Sequence, residues 1–99
     1  MNPVTPEGAL PGEDIVRQGL ADLAQGRVTD FSLLVLIAAP RLTRLGIHVA
    51  AKPCVRPYEH ELYERLDRRL GAGAHSYYNS LIRRIVSYAR ALEREQKRP

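Results

Sequence analysis

The chain has 99 residues, 44% of them hydrophobic and 26% charged, enough for one domain and too polar for a membrane chain or too apolar for a disordered one. Fifteen Lys and Arg stand against eleven Asp and Glu, a formal net charge of +4. The asymmetry is sharper than the total: residues 1–50 hold four basic and five acidic groups, residues 51–99 eleven and six.

The first twelve residues contain Pro3, Pro6 and Pro11 with Gly8 and Gly12. They read as an extended arm, residues 1–12, ahead of a single helical domain over 13–99. The start has neither a basic segment nor an apolar core of a signal peptide, so a cytoplasmic setting is expected. A first helix is predicted from Glu13 to Gln25. Its acids Glu13 and Asp14 fall in the first turn, its apolar face is Ile15, Val16, Leu20, Leu23 and Ala24, and Gly26 stops it. Gly19 in mid-helix points to a close helix–helix approach, since it costs about 1 kcal/mol of helix stability relative to Ala.

A second helix is predicted behind Thr29, a good N-cap, with Asp30 in its first turn. Phe31 and Leu33 to Ile37 are apolar nearly all round, which predicts the central helix, with Leu34, Leu36 and Ile37 among the least exposed side chains. The apolar run Leu33–Ala39 is far short of the roughly 20 residues that span a bilayer. Pro40 cannot donate to the carbonyl of Leu36, so a kink or break is expected there, followed by a further turn over Arg41–Leu45. Gly46 and Ile47 match a glycine stop with an apolar follower. Residues 47–57, with Pro53 and Pro57, read as the longest loop.

A third helix is predicted over Tyr58–Leu70, with Leu62, Leu66 and Leu70 repeating at i+4. Gly71-Ala72-Gly73 interrupts the chain. A fourth, long helix follows over Ala74–Gln96. Tyr78, Leu81, Ile82, Ile85, Val86, Ala89 and Leu92 share one side of it, while Arg83, Arg90, Arg94 and Lys97 share the other, inside about 60° of arc at 100° per residue. The fold class is therefore all-α: a small bundle of four main helices with a proline kink or break in the second.

The arginine stripe is the most distinctive feature. Thirteen of the fifteen bases are Arg, which keeps its charge and pairs with phosphate or carboxylate through two hydrogen bonds. A solvated outer face, or a coding bias towards Arg, produces the same pattern. Arg65, Arg68 and Arg69 of the third helix extend the basic set. The pair of helices around the glycine turn resembles a DNA-binding helix-turn-helix in outline, with His75, Ser76, Tyr77 and Asn79 opening the second helix. Asp67 stands where a small residue is usual, and a helix of this length is long for recognition. Arg69 and His75 have the spacing of a metal-free nuclease pair, in which Arg steadies a phosphate and His acts as base. Arg41 and His48 have much the same spacing, so the match carries little information.

Cys54, the lone cysteine, excludes an internal disulfide and a cysteine-rich zinc site. His60 and Glu64 share a helix face with too few companions to hold a metal. No phosphate loop, dinucleotide loop, HExxH or nucleophile elbow occurs, so neither a cofactor nor a small-molecule substrate is inferred, and the catalytic set is empty. All five tyrosines lie in the basic half. Tyr77, Tyr78, Leu81, Ile85, Tyr88 and Leu92 form a broad apolar border that predicts a homodimer through the long helix. The leading expectation is a non-enzymatic interaction protein that binds itself or a larger protein. A nucleic-acid-binding regulator is the second expectation, and a small nuclease the third.

Overall fold

The computed structural model describes residues 10–50 and 57–97. The arm over 1–9 and the loop segment 51–56, which includes Lys52, Cys54 and Arg56, lie outside the described residues. The fold is all-α, with no strand among the described residues. The helices are α1 (Glu13–Ala24), α2 (Asp30–Ile37), α3 (Ala39–Arg44), α4 (Tyr58–Leu70) and α5 (Ala74–Gln96), with a 3-10 turn at Gly71–Gly73. The long C-terminal helix holds 23 residues, about 34 Å at 1.5 Å per residue.

Local chemistry explains most of the boundaries. Glu13 folds back on the start of α1, its Oε1 accepting from the Leu10 N–H at 3.0 Å. That hydrogen bond, with help from Arg17, holds the Glu13 carboxyl below the usual range. At the other end the Gly26 N–H donates to the Leu23 carbonyl (3.0 Å) and the Arg27 N–H to the Asp22 carbonyl (2.8 Å). These two bonds make a Schellman stop. The same pair recurs after α3, from Gly46 to Thr43 and from Ile47 to Leu42. Thr29 caps α2 reciprocally: its Oγ1 accepts from the Ser32 N–H, and the Ser32 hydroxyl accepts from the Thr29 N–H at 2.8 Å. This capping box satisfies two otherwise orphaned donors. Helix α2 ends at Ile37, Ala38 caps both α2 and α3, and Pro40 stands in the first turn of α3. There its missing N–H has no intrahelical partner to lose.

Helix α2 is the centre of the molecule and packs on every other α-helix. Leu33, Leu34, Val35 and Leu36 are all buried, Leu34 and Val35 completely. Ile37 is only half-buried, contrary to expectation, because it is the last residue of α2 and the chain turns there. Ile15 and Val16 of α1, Leu42 of α3, Leu62 and Leu66 of α4, and Leu81, Ile85 and Tyr88 of α5 complete the core. Leu70, expected to continue the Leu62–Leu66 row, is 42% exposed. It ends α4, and Gly71 behind it has a positive φ of 57° that turns the chain off the helix axis.

Two glycines permit close approach. A Cβ on Gly19 would collide with the Phe31 carbonyl oxygen and lie 2.6 Å from Val35 Cγ2, so α1 and α2 cross with backbone against backbone. Gly12, with φ 78°, packs its Cα beneath α5, where a Cβ would meet the Arg84 carbonyl oxygen at 2.7 Å. The residues just before α1 are thus seated against α5. At the far end of α5, Gln96 Nε2 donates to the Leu45 carbonyl at 2.6 Å, and Arg41 of α3 reaches Glu93 at 3.5 Å.

Candidate functional site

The outer face of α5 carries the arginine stripe. Arg83, Arg90 and Arg94 are exposed, and no ion pair joins them to any acid among the described residues. Lys97 is also exposed, with its Nζ 3.7 Å from Glu93 Oε2. Glu93 is thereby shared between Lys97 and Arg41 and is drawn away from the stripe. The result is a line of guanidinium groups on a rigid helix, hydrated and uncompensated by nearby acids.

The basic set on α4 is placed differently. Arg69 grips Asp30 through two contacts, Nη2 to Oδ2 at 2.6 Å and Nη1 to Oδ1 at 3.4 Å. Arg65 Nε adds a third at 3.5 Å. The bond to Asp30 raises the Arg69 guanidinium pKa further above its ordinary value. These contacts tie the first turn of α2 to the last turn of α4, so Arg65 and Arg69 are committed to holding the fold. Arg68 is exposed and faces the same open pocket of about 360 Å³ as Arg65 and Arg69. A neighbouring depression of about 310 Å³ is walled by Phe31 and Tyr77 as well.

Beside that depression, Asp22 is 5% exposed and accepts from Thr29 Oγ1 at 2.7 Å and Gln18 Nε2 at 2.9 Å. Those bonds, the one from Thr29 first, hold its carboxyl below the usual range. The sequence gives little sign of Asp22's part, because a lone Asp on the apolar side of a helix has no local partner pattern except Gln18 four residues before it.

The residues expected at a dimer interface are largely inside the molecule. Leu81, Ile85 and Tyr88 are buried by the chain itself, and burial pushes the Tyr88 hydroxyl pKa up. Tyr77, Tyr78 and Leu92 are half-buried against the same core. The Tyr78 ring meets Tyr63 edge-on at 5.4 Å. Burial, and secondarily the charge of Glu59, raises its pKa. The breadth of the apolar arc on α5 therefore reflects cover by α1, α2 and α4, and is no argument for a second copy.

Arg69 and His75, the candidate nuclease pair, face different partners: Arg69 holds Asp30, and His75 Nε2 lies 3.2 Å from Asn79 Nδ2. His75 and Ser76, at the start of α5, are exposed. No group of three or more His, Cys, Asp or Glu side chains that could hold a metal comes together among the described residues. No helix among them is long and apolar enough to cross a membrane. The chain matches no protein-family model, no curated protein and no solved structure.

Proposed function

We propose that this chain is a non-enzymatic helical interaction module that binds an acidic protein partner through the outer face of α5. One observation carries the reading: Arg83, Arg90 and Arg94 are exposed and without ion pairs among the described residues, whereas Arg65 and Arg69 are held by Asp30. Arginine stems contribute apolar contact area and the guanidinium groups pair bidentately with carboxylates, which is why Arg is enriched at interfaces. The intramolecular cover over Leu81, Ile85 and Tyr88 favours a separate partner over self-association through the apolar arc. In this reading α1, α2, α4 and α5 act as a four-helix scaffold, with α3 as a proline-marked continuation of α2, and the scaffold presents α5 as a rigid rod.

Nucleic acid is the second reading, favoured by the same uncompensated cations. The stripe contains no aromatic side chain on which a base would stack, and Glu93 and Glu95 flank it. Acids so placed repel a phosphate backbone more than a protein surface of mixed charge. The deciding experiment is fluorescence anisotropy with a glutamate-rich peptide and, separately, a random DNA duplex across a salt series. Tighter binding of the peptide, abolished by Arg90→Asp, supports the protein partner. Tight duplex binding with a steep salt slope supports the regulator.

A further inference from the structure

The partner reading leaves open what shape of acidic surface the stripe fits, and the small residues between the arginines bear on that. Along the outer face of α5, Ser80, Arg83, Ser87, Arg90, Arg94 and Lys97 are spaced alternately by three and four residues. That alternation is the spacing of a helix–helix seam. The six positions lie within about 100° of arc and extend about 25 Å along the axis at 1.5 Å per residue. Ser87 is exposed and stands between Arg83 four residues before it and Arg90 three residues after it. Its short side chain leaves a gap flanked by two long cations. On one side of the seam Ile82 and Val86 are only half-buried, so apolar surface borders the charged line.

We infer that this seam docks a single acidic α-helix of the partner protein, laid along α5 with its carboxylates at three-and-four spacing. The inference rests on the acidic-partner reading above and adds the conformation of the bound segment. The argument is one of pitch. A partner helix advances about 1.5 Å per residue, as α5 does, and so stays in register with successive arginines over several turns. An extended acidic segment advances about 3.3 Å per residue and presents charge to both faces, so it falls out of register after one or two pairs. The gap at Ser87 lets the partner backbone come close, and the half-buried Ile82 and Val86 meet an apolar flank of the same helix. Charge complementarity selects the occupant: three unpaired guanidinium groups on one line call for carboxylates on one line.

Two peptides of identical glutamate and alanine composition test this. One is stapled as a helix with glutamates at three-and-four spacing, and the other has alternating glutamates and D-residues that prevent helix formation. Binding to the full chain is read by anisotropy at low salt. The helical peptide is expected to bind about tenfold more tightly than the unfolded one. Ser87→Arg gives the sharper discrimination, since it adds a cation but fills the gap. It should weaken the helical peptide about tenfold if a helix seats there, and tighten it if bulk charge alone matters. Ser87 is exposed, so the variant is expected to melt with the wild type.

Equal binding of the two peptides, or tightening by Ser87→Arg, overturns the helix inference and leaves the acidic-partner reading standing. Binding of neither peptide, or tighter binding of a DNA duplex at the same salt, overturns both.

Discussion

The carbonyl oxygen of Phe31 occupies the space that a side chain on Gly19 would need. Helices α1 and α2 therefore meet at a point where one of them has no Cβ. This explains a residue that costs α1 about 1 kcal/mol in helix propensity. Gly19→Ala recovers that propensity but forces the two backbones apart. The expected net effect is destabilisation by about 1–3 kcal/mol, the range for an overpacked core. Urea melts measure it, and a variant more stable than wild type would show that the crossing is loose.

Leu34 is completely buried in the helix that all the others pack on. Leu34→Ala should cost about 2–5 kcal/mol, the loss of a buried leucine plus the cavity left behind. A loss below about 0.5 kcal/mol would mean that α2 is not the core element.

Asp22 couples the fold to pH. Its carboxyl pKa is lowered in the folded state, chiefly by the Thr29 hydroxyl and then by Gln18. A depressed carboxyl contributes stability that is fully present above the unfolded value, about 3.9. That stability is lost as the pH falls through the lower folded value. Thr29→Ala removes the largest cause of the shift and also the cap of α2, worth about 1 kcal/mol at neutral pH. The variant should be less stable at pH 7 and should lose less further stability than wild type between pH 5 and strongly acid solution. Thermal melts across that range measure both effects, and parallel curves for the two proteins would refute the coupling.

Salt dependence separates the two functional readings. If Arg83, Arg90, Arg94 and Lys97 bound duplex phosphates, each would add about −0.9 to the slope of log K against log salt, giving about −3.6 for four. The acidic-partner reading expects weak duplex binding and a complex with the peptide that Arg90→Asp breaks by like-charge contact. A slope steeper than about −3 on random duplex reverses the preference.

Sedimentation tests the association state. With Leu81, Ile85 and Tyr88 covered within one chain, the protein is expected to remain monomeric at high micromolar concentration. A dimer that Tyr77→Asp or Leu92→Asp dissociates would restore the interface anticipated from the sequence.

The sequence by itself determined what depends on neighbours a few residues apart. The Thr29 cap, the glycine stops at Gly26 and Gly46, the buried run from Leu33 to Leu36 and the long α5 all arise from hydrogen bonds and periodicities within a turn or two. The stripe of Arg83, Arg90 and Arg94 was legible for the same reason, because helical spacing alone puts them on one face. Only the tertiary structure decided which cations stay free. Arg65 and Arg69 meet Asp30 across sequence separations of 35 and 39 residues, and no local pattern announces a carboxylate that distant. It also decided how α5 is covered and where Leu70 is left exposed. Burial is a property of how helices cross, and the periodicity of one helix shows which side is apolar without showing what meets it.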